Sequence, residues 1–286
     1  MDGDLVVRTN EIDADDGVRL VVDLYGERGG TTPLLCLAGL TRNARDFTDL
    51  GTRLGAQRLV VAADVRGRGR SGYDPTRQSY SLPTYQRDVL SVCDDLGLDR
   101  VVLLGTSMGG RVAMGTAAGS PERVAGLVLN DIGPTVEEPG LVRISSYAGK
   151  LEPVADWAAA VAQARLLGEE QTPGLSDDEW VREARQRYGT NADGLLAPDH
   201  DPGIIDGPVP TEDPWEVFDA LGDLPVLVLR GATSDILSAA TVEEMRARHP
   251  GLVSVDVPGR GHAPLLDEPE AVAALDSFLA EVDRRR

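Results

Sequence analysis

Short apolar runs alternate along this chain with stretches whose apolar residues recur every three or four positions. Pro33–Leu37, Leu59–Ala62, Val101–Leu104, Val124–Leu129, Pro225–Leu229 and Leu252–Val257 are continuous runs rich in leucine and β-branched residues, the pattern of strands buried on both faces. Leu5–Ile12 and Arg19–Tyr25 flank the turn signal Asp15-Asp16-Gly17 and predict an antiparallel hairpin. The clearest helix is the last, where Val272, Leu275, Leu279 and Val282 fall at spacings of 3, 4 and 3. Strand-like runs separated by helical patterns predict an α/β architecture with a mostly parallel sheet.

One interval breaks this alternation. From Pro134 to Asp219 no convincing strand occurs; helical stretches near Val154–Leu167 and Ser176–Tyr188 lead into a Pro-rich loop from Pro198 to Pro214. A compact sheet does not need so long a connection, and such insertions carry lids or substrate sites. Residues 134–222 are therefore expected to form a helical cap between the sixth and seventh strands, with 1–133 and 223–286 forming the core domain. The cap segment holds 18 acidic against six basic residues, a charge that would repel anions from a mouth beneath it.

Composition narrows the function classes. The 286 residues carry a formal charge of −19, which argues against nucleic acid, anionic membranes and strongly anionic substrates. No apolar stretch reaches membrane-spanning length, and the acidic Met1–Asp4 is unlike a signal peptide. Cys36 and Cys93, in a strand-like and a helical run, are expected to be free thiols, so a cytoplasmic location is expected.

The candidate chemistry centres on Gly105-Thr106-Ser107-Met108-Gly109-Gly110, which follows an apolar strand and opens a helix of small residues. A sharp strand-to-helix turn would lift the Ser107 hydroxyl off the sheet at a helix N-terminus, where developing negative charge is favoured. The spacing does not give a dinucleotide-binding glycine loop, and no phosphate-loop lysine is present. A serine needs a base, and three histidines exist. His262 lies in the Gly-rich loop Pro258-Gly259-Arg260-Gly261-His262 after the last strand, on the same rim as Ser107, and is the expected base. His249, before Pro250, is expected to be an exposed helix cap, and His200 a solvated loop residue. The imidazole needs an orienting acid; Asp235, after the seventh strand, is preferred, and Asp131, after the sixth, competes. The Met108 amide and the Leu40 amide, in the loop Ala38-Gly39-Leu40, are expected to hold an oxyanion. Arg42 and Asn43 are possible substrate contacts. Tyr147, Trp157, Tyr188 and Trp215 could line an apolar pocket.

Together, Ala38-Gly39-Leu40, Asp64-Val65-Arg66-Gly67-Arg68-Gly69-Arg70-Ser71, Gly105–Gly110, Arg230-Gly231 with Asp235, and Gly261-His262 resemble the α/β-hydrolase superfamily over nearly the whole chain apart from the cap. The resemblance implies an eight-stranded sheet with its second strand antiparallel, helices on both faces, and a catalytic site under the cap. It implies that Asp64–Ser71 is a structural turn. Many relatives carry His-Gly where this chain has Ala38-Gly39, so the support of the oxyanion loop must differ. Dehalogenases and epoxide hydrolases of the fold use Asp at the elbow, which Ser107 argues against. Ring-cleavage C–C hydrolases place tryptophan after the histidine, where this chain has Ala263. The expected reaction is hydrolysis of a small, neutral carboxylic ester or lactone through an acyl-enzyme, without metal or organic cofactor. C–C bond hydrolysis, cofactor-free perhydrolysis and a non-catalytic ligand receptor are the alternatives, and the chain is expected to act as a monomer or homodimer.

Overall fold

The computed structural model describes residues 7–207 and 211–285. Met1–Asp4, the predicted strand's first residues Leu5 and Val6, Pro208–Pro210 of the Pro-rich loop, and Arg286 lie outside the described residues.

The chain opens on an antiparallel hairpin, β1 (Arg8–Asp13) and β2 (Arg19–Tyr25). It continues through β3 (Leu34–Leu37), α1 (Thr48–Leu54), β4 (Val60–Asp64), α2 (Leu82–Asp95), β5 (Val101–Thr106), α3 (Met108–Gly119) and β6 (Val124–Asn130). An insertion then holds α4 (Glu138–Tyr147), α5 (Trp157–Gly168), α6 (Asp177–Arg187), a small antiparallel pair β7 (Tyr188–Thr190) and β8 (Leu196–Pro198), and α7 (Pro214–Asp219). The chain closes with β9 (Val226–Gly231), α8 (Ala239–Arg248), β10 (Val253–Val257) and α9 (Pro269–Arg284).

Eight strands form one sheet in the order β1-β2-β4-β3-β5-β6-β9-β10. β2 is antiparallel to both neighbours, and every pairing from β4 to β10 is parallel. The continuous apolar runs have a simple cause: both faces are covered. Leu35, Leu37, Leu103, Leu127 and Leu129 pack toward α2, α3 and α8. Leu34, Cys36, Val102, Leu104 and Val128 point the other way, toward α1 and α9. Each fully buried leucine of this kind contributes about 1.5–3 kcal/mol. The periodic positions of α9 meet the second layer through Leu275, Leu279 and Val282, with Phe278 beside them. Both cysteines are free and buried.

The insertion differs from its sequence-based picture in detail. It contains the β7–β8 pair where no strand was expected, and two additional helices, α4 and α7. Its α5 and α6 pack through Ala160, Ala164 and Ala184 with Tyr188 and Leu196. The N-terminus of α6 is fixed by a capping box in which Ser176 and Glu179 exchange side-chain-to-backbone bonds. α7 packs instead against α3, and Phe218 joins the main core. Two histidines also depart from expectation. His249 is buried against Phe218 rather than exposed, and His200 is buried in a β-bridge to Arg68. Among the described residues no helix is long and apolar enough to cross a membrane.

Candidate active site

β5 ends in the turn that carries Ser107, which sits at φ 53°, ψ −119° as the residue before α3. This is a left-handed region that non-glycine residues enter only when the surroundings impose it. Here the Ser107 N–H donates to Asn130 O at 3.1 Å and the Ser107 carbonyl accepts from Gly110 N at 2.9 Å. The turn is possible because α3 approaches β3 closely: a Cβ on Gly109 would strike the carbonyls of Leu37 and Ala38.

His262 reaches Ser107 from the loop between β10 and α9. Its Nε2 lies 2.9 Å from Ser107 Oγ, and its Nδ1 lies 2.7 Å from Asp131 Oδ2. Asp131 follows β6, itself at φ 55°, with its side chain fully buried. A buried carboxylate must be satisfied by donors. The Gly231 N–H donates to Oδ1 at 2.7 Å and the Ser234 hydroxyl to Oδ2 at 2.6 Å. With Asp131 ionised, the Nδ1 proton belongs to the His262–Asp131 bond, leaving Nε2 to accept from Ser107.

Asp235, the carboxylate preferred from the sequence, is not in this chain of contacts. Its two oxygens are held by Arg143 of α4, at 2.6 and 2.8 Å from Nε and Nη2. Burial alone would raise the Asp235 carboxyl, but the Arg143 fork outweighs it and holds the group below its ordinary value. The loop after β9 thus supports the acid, through Gly231 and Ser234, instead of supplying it.

The loop after β3 passes directly over Ser107: a Cβ on Gly39 would lie 3.6 Å from Ser107 Cβ. The Leu40 amide has no protein acceptor among the described residues, and Met108 opens α3, where N–H groups have no intrahelical partner. Both are free to receive an oxyanion. This loop is supported by Arg68, which is 0% exposed. Its Nε donates to Leu40 O at 2.8 Å, and Nη1 donates to Arg66 O at 2.7 Å and to Tyr85 Oη at 3.0 Å. Its Nη2 lies 3.3 Å from Met108 Sδ, and its guanidinium lies 5.1 Å from the Tyr85 ring centroid. One buried cation therefore touches both residues that carry the candidate oxyanion amides. The Asp64–Ser71 segment is a structural turn, as Ser71 Oγ donates to Asp64 O and accepts from Val21 N, and it also delivers this arginine to the site.

A cavity with about 160 Å³ of accessible space opens over Ser107 and His262. Tyr147, Ile144, Leu167 and Leu175 give it apolar wall, and Arg42, Arg143, Arg182 and Arg187 reach it as cations. All four arginines are ion-paired. Arg42 binds Asp46 and Glu183, Arg187 binds Glu183, Arg143 binds Asp235, and Arg182 lies near Asp49 and Glu179. Burial would raise the Glu183 carboxyl, yet Arg42 and Arg187 bring it down to about 2.

Five of the residues expected to contact substrate or line the pocket are engaged by other partners. Arg42 lines the cavity, but its guanidinium is taken up by Asp46 and Glu183. Asn43 is fully buried; it caps the turn at Ala44–Phe47 and donates to Gln186 O of the insertion at 2.9 Å. Trp157 lies at the surface with Arg185 over its ring. Trp215 lies on α7, donating to Thr135 Oγ1 and stacked by Arg248. Tyr188 packs inside the insertion, donating to Gln163. Of the aromatic candidates, only Tyr147 lines the cavity.

An elbow serine, an imidazole on a buried carboxylate and two amides without a protein acceptor among the described residues thus lie together on one rim of a mostly parallel sheet covered on both faces. Residues 34–275 match the model of the alpha/beta hydrolase family. The chain is 32% identical to a 3-hydroxybutyrate-oligomer hydrolase of Cupriavidus necator, over 91% of this chain and 92% of that protein. It is 26% identical to the sn-1-specific diacylglycerol lipase ABHD11 of Danio rerio, over 92% of this chain and 83% of that one. In structure it superposes with a TM-score of 0.91 on an alpha/beta hydrolase from Novosphingobium aromaticivorans, 39% identical, covering 97% of this chain and 99% of the other. The chain belongs to the α/β-hydrolase family.

Proposed function

We propose that the protein hydrolyses a small, uncharged carboxylic ester through an acyl-enzyme on Ser107. The observation that carries this reading is the unbroken chain of contacts from Ser107 Oγ through His262 to Asp131, at 2.9 and 2.7 Å. Ser107 Oγ attacks the ester carbonyl carbon while His262 Nε2 takes its proton. The tetrahedral oxygen is received by the Leu40 and Met108 amides, each such donor being worth about 3 kcal/mol. The imidazolium, steadied by Asp131, then protonates the departing alkoxide. Water, deprotonated by the same nitrogen, attacks the acyl carbonyl; the carboxylic acid leaves and Ser107 regains its proton.

Two further features bear on this reading, the first on the ester bond and the second on the charge of the substrate. The relatives named above act, by their names, on hydroxybutyrate oligomers and diacylglycerol. Every arginine lining the cavity is already paired with a carboxylate, which leaves no unengaged cation there for an anionic substrate. The insertion would act as a cap that limits the acyl group to a small one. The test is turnover of p-nitrophenyl acetate and butyrate against long-chain esters, lactones and dienoic ketones at fixed pH. The short esters should be turned over fastest. A protein with neither burst nor turnover on any ester would refute the reading, and preferential cleavage of the ketones would replace it with C–C hydrolysis.

A further inference from the structure

The insertion touches the histidine loop at one residue in particular. Gln171 lies in the tight turn after α5, with its own N–H and that of Thr172 both donating to Gly168 O at 2.9 Å. It is 9% exposed and belongs to the cavity wall. Both of its carbonyl oxygens are used on consecutive residues of the loop. The main-chain oxygen accepts from Gly261 N at 2.7 Å, and the side-chain Oε1 accepts from His262 N at 2.8 Å. The approach is close enough that a Cβ on Gly261 would run into the Gln171 amide.

These bonds complete the anchoring of His262. Asn130 Nδ2 donates to Pro264 O at 3.0 Å on the far side, and Asp131 holds the ring. On the near side Thr233 N and Oγ1 both donate to Arg260 O at 3.0 Å, and the next two N–H groups, those of Gly261 and His262, have their acceptors on Gln171, a residue of the insertion. A buried N–H without an acceptor is costly, so the loop adopts this course when Gln171 is seated. A shift of about 1 Å in a catalytic group can cost on the order of 10²-fold in rate.

We propose that Gln171 is a positioning residue through which the insertion sets the place of His262 over Ser107, so that cap seating and triad assembly are one event. This rests on the ester-hydrolase reading above. The experiment compares wild type, Gln171→Ala and Gln171→Glu on p-nitrophenyl butyrate across pH, with melting temperatures alongside. Gln171→Ala should lower kcat about 10- to 100-fold with little change in KM. Gln171→Glu keeps an acceptor for His262 N and should hold kcat within about threefold. Its carboxylate favours the imidazolium, so the acidic limb of its kcat/KM profile should move to higher pH. The far-downfield proton resonance of the His262–Asp131 bond should persist in Gln171→Glu and broaden or vanish in Gln171→Ala. An unchanged kcat in Gln171→Ala would overturn the proposal, as would equal losses in both variants that merely follow their melting temperatures. Absence of wild-type turnover would instead sink the hydrolase reading, and this proposal with it.

Discussion

Ser234 donates its hydroxyl to Asp131 at 2.6 Å, while its neighbour Asp235 turns away and binds Arg143 through both oxygens. Two adjacent side chains on one loop thus serve different masters: one completes the histidine's acid, the other ties down α4. On the proposed mechanism this division makes Asp131, not Asp235, the acid. Asp131→Asn should lower kcat by about 10⁴-fold, because the amide presents the wrong group to Nδ1. Asp235→Asn should leave kcat within about threefold, since Asp235 shares no hydrogen bond with His262. Steady-state kinetics of the two variants check this, and the reverse order would return the role to Asp235.

Ser234 does more than donate to Asp131. Its hydroxyl oxygen also accepts from Ile236 N and Leu237 N at 3.1 and 3.0 Å. Ser234→Ala removes all three bonds, so unfolding free energy should fall by about 1–3 kcal/mol. The Gly231 and His262 contacts to Asp131 survive, so kcat should fall about tenfold or less, well short of Asp131→Asn. Chemical denaturation and kcat measured together distinguish this from a purely structural serine, for which kcat per folded molecule would not change.

Arg68 offers a separate test of the oxyanion site. A lysine in its place cannot reproduce the fork that reaches Leu40 O, Arg66 O and Tyr85 together. Arg68→Lys should lower kcat by about 10²-fold, the scale of a lost oxyanion donor, while KM changes little. Affinity for a boronic-acid analogue of the tetrahedral intermediate should fall in parallel. A folded variant with undiminished affinity for the boronate would show that Arg68 only fills space.

Burial pushes the His200 imidazole down to about 4, with the nearby Arg68 guanidinium adding to the effect. A histidine in the unfolded chain titrates near its ordinary value, about 6.5. Between these limits the unfolded chain takes up a proton that the folded chain refuses, so stability falls as pH drops and levels off below about 4. The full difference is about 3 kcal/mol. His200→Gln should lose correspondingly less stability than wild type between pH 7 and 4 in denaturant titrations. Parallel curves for the two proteins would contradict the assignment.

What the sequence disclosed follows from how local each signal is. Ser107 is legible because an apolar strand, two glycines and a small-residue helix are contiguous in the chain. His262 is legible because only three histidines exist and one sits in a Gly-rich loop on the right rim. For the acid the sequence prefers Asp235, yet Asp131 also follows a strand on that rim and is the carboxylate that His262 contacts. The choice turns on a left-handed turn at Asp131 and on Arg143, far along the chain. Gln171 and Arg68 act through contacts between distant segments, and no nearby pattern marks them. His249 and His200 lie beside prolines or in Pro-rich sequence, which looks exposed until α7 and the Arg68 turn cover them.

The most direct test of the central claim is to trap the acyl chemistry itself. Intact-mass and peptide mapping after reaction with a p-nitrophenyl phosphonate should find one covalent phosphonyl group, on Ser107, formed with release of p-nitrophenol. Labelling should be much slower in Asp131→Asn and absent in Ser107→Ala. A Ser107→Ala protein that still turns over ester, or a label that settles on another residue, would contradict the account.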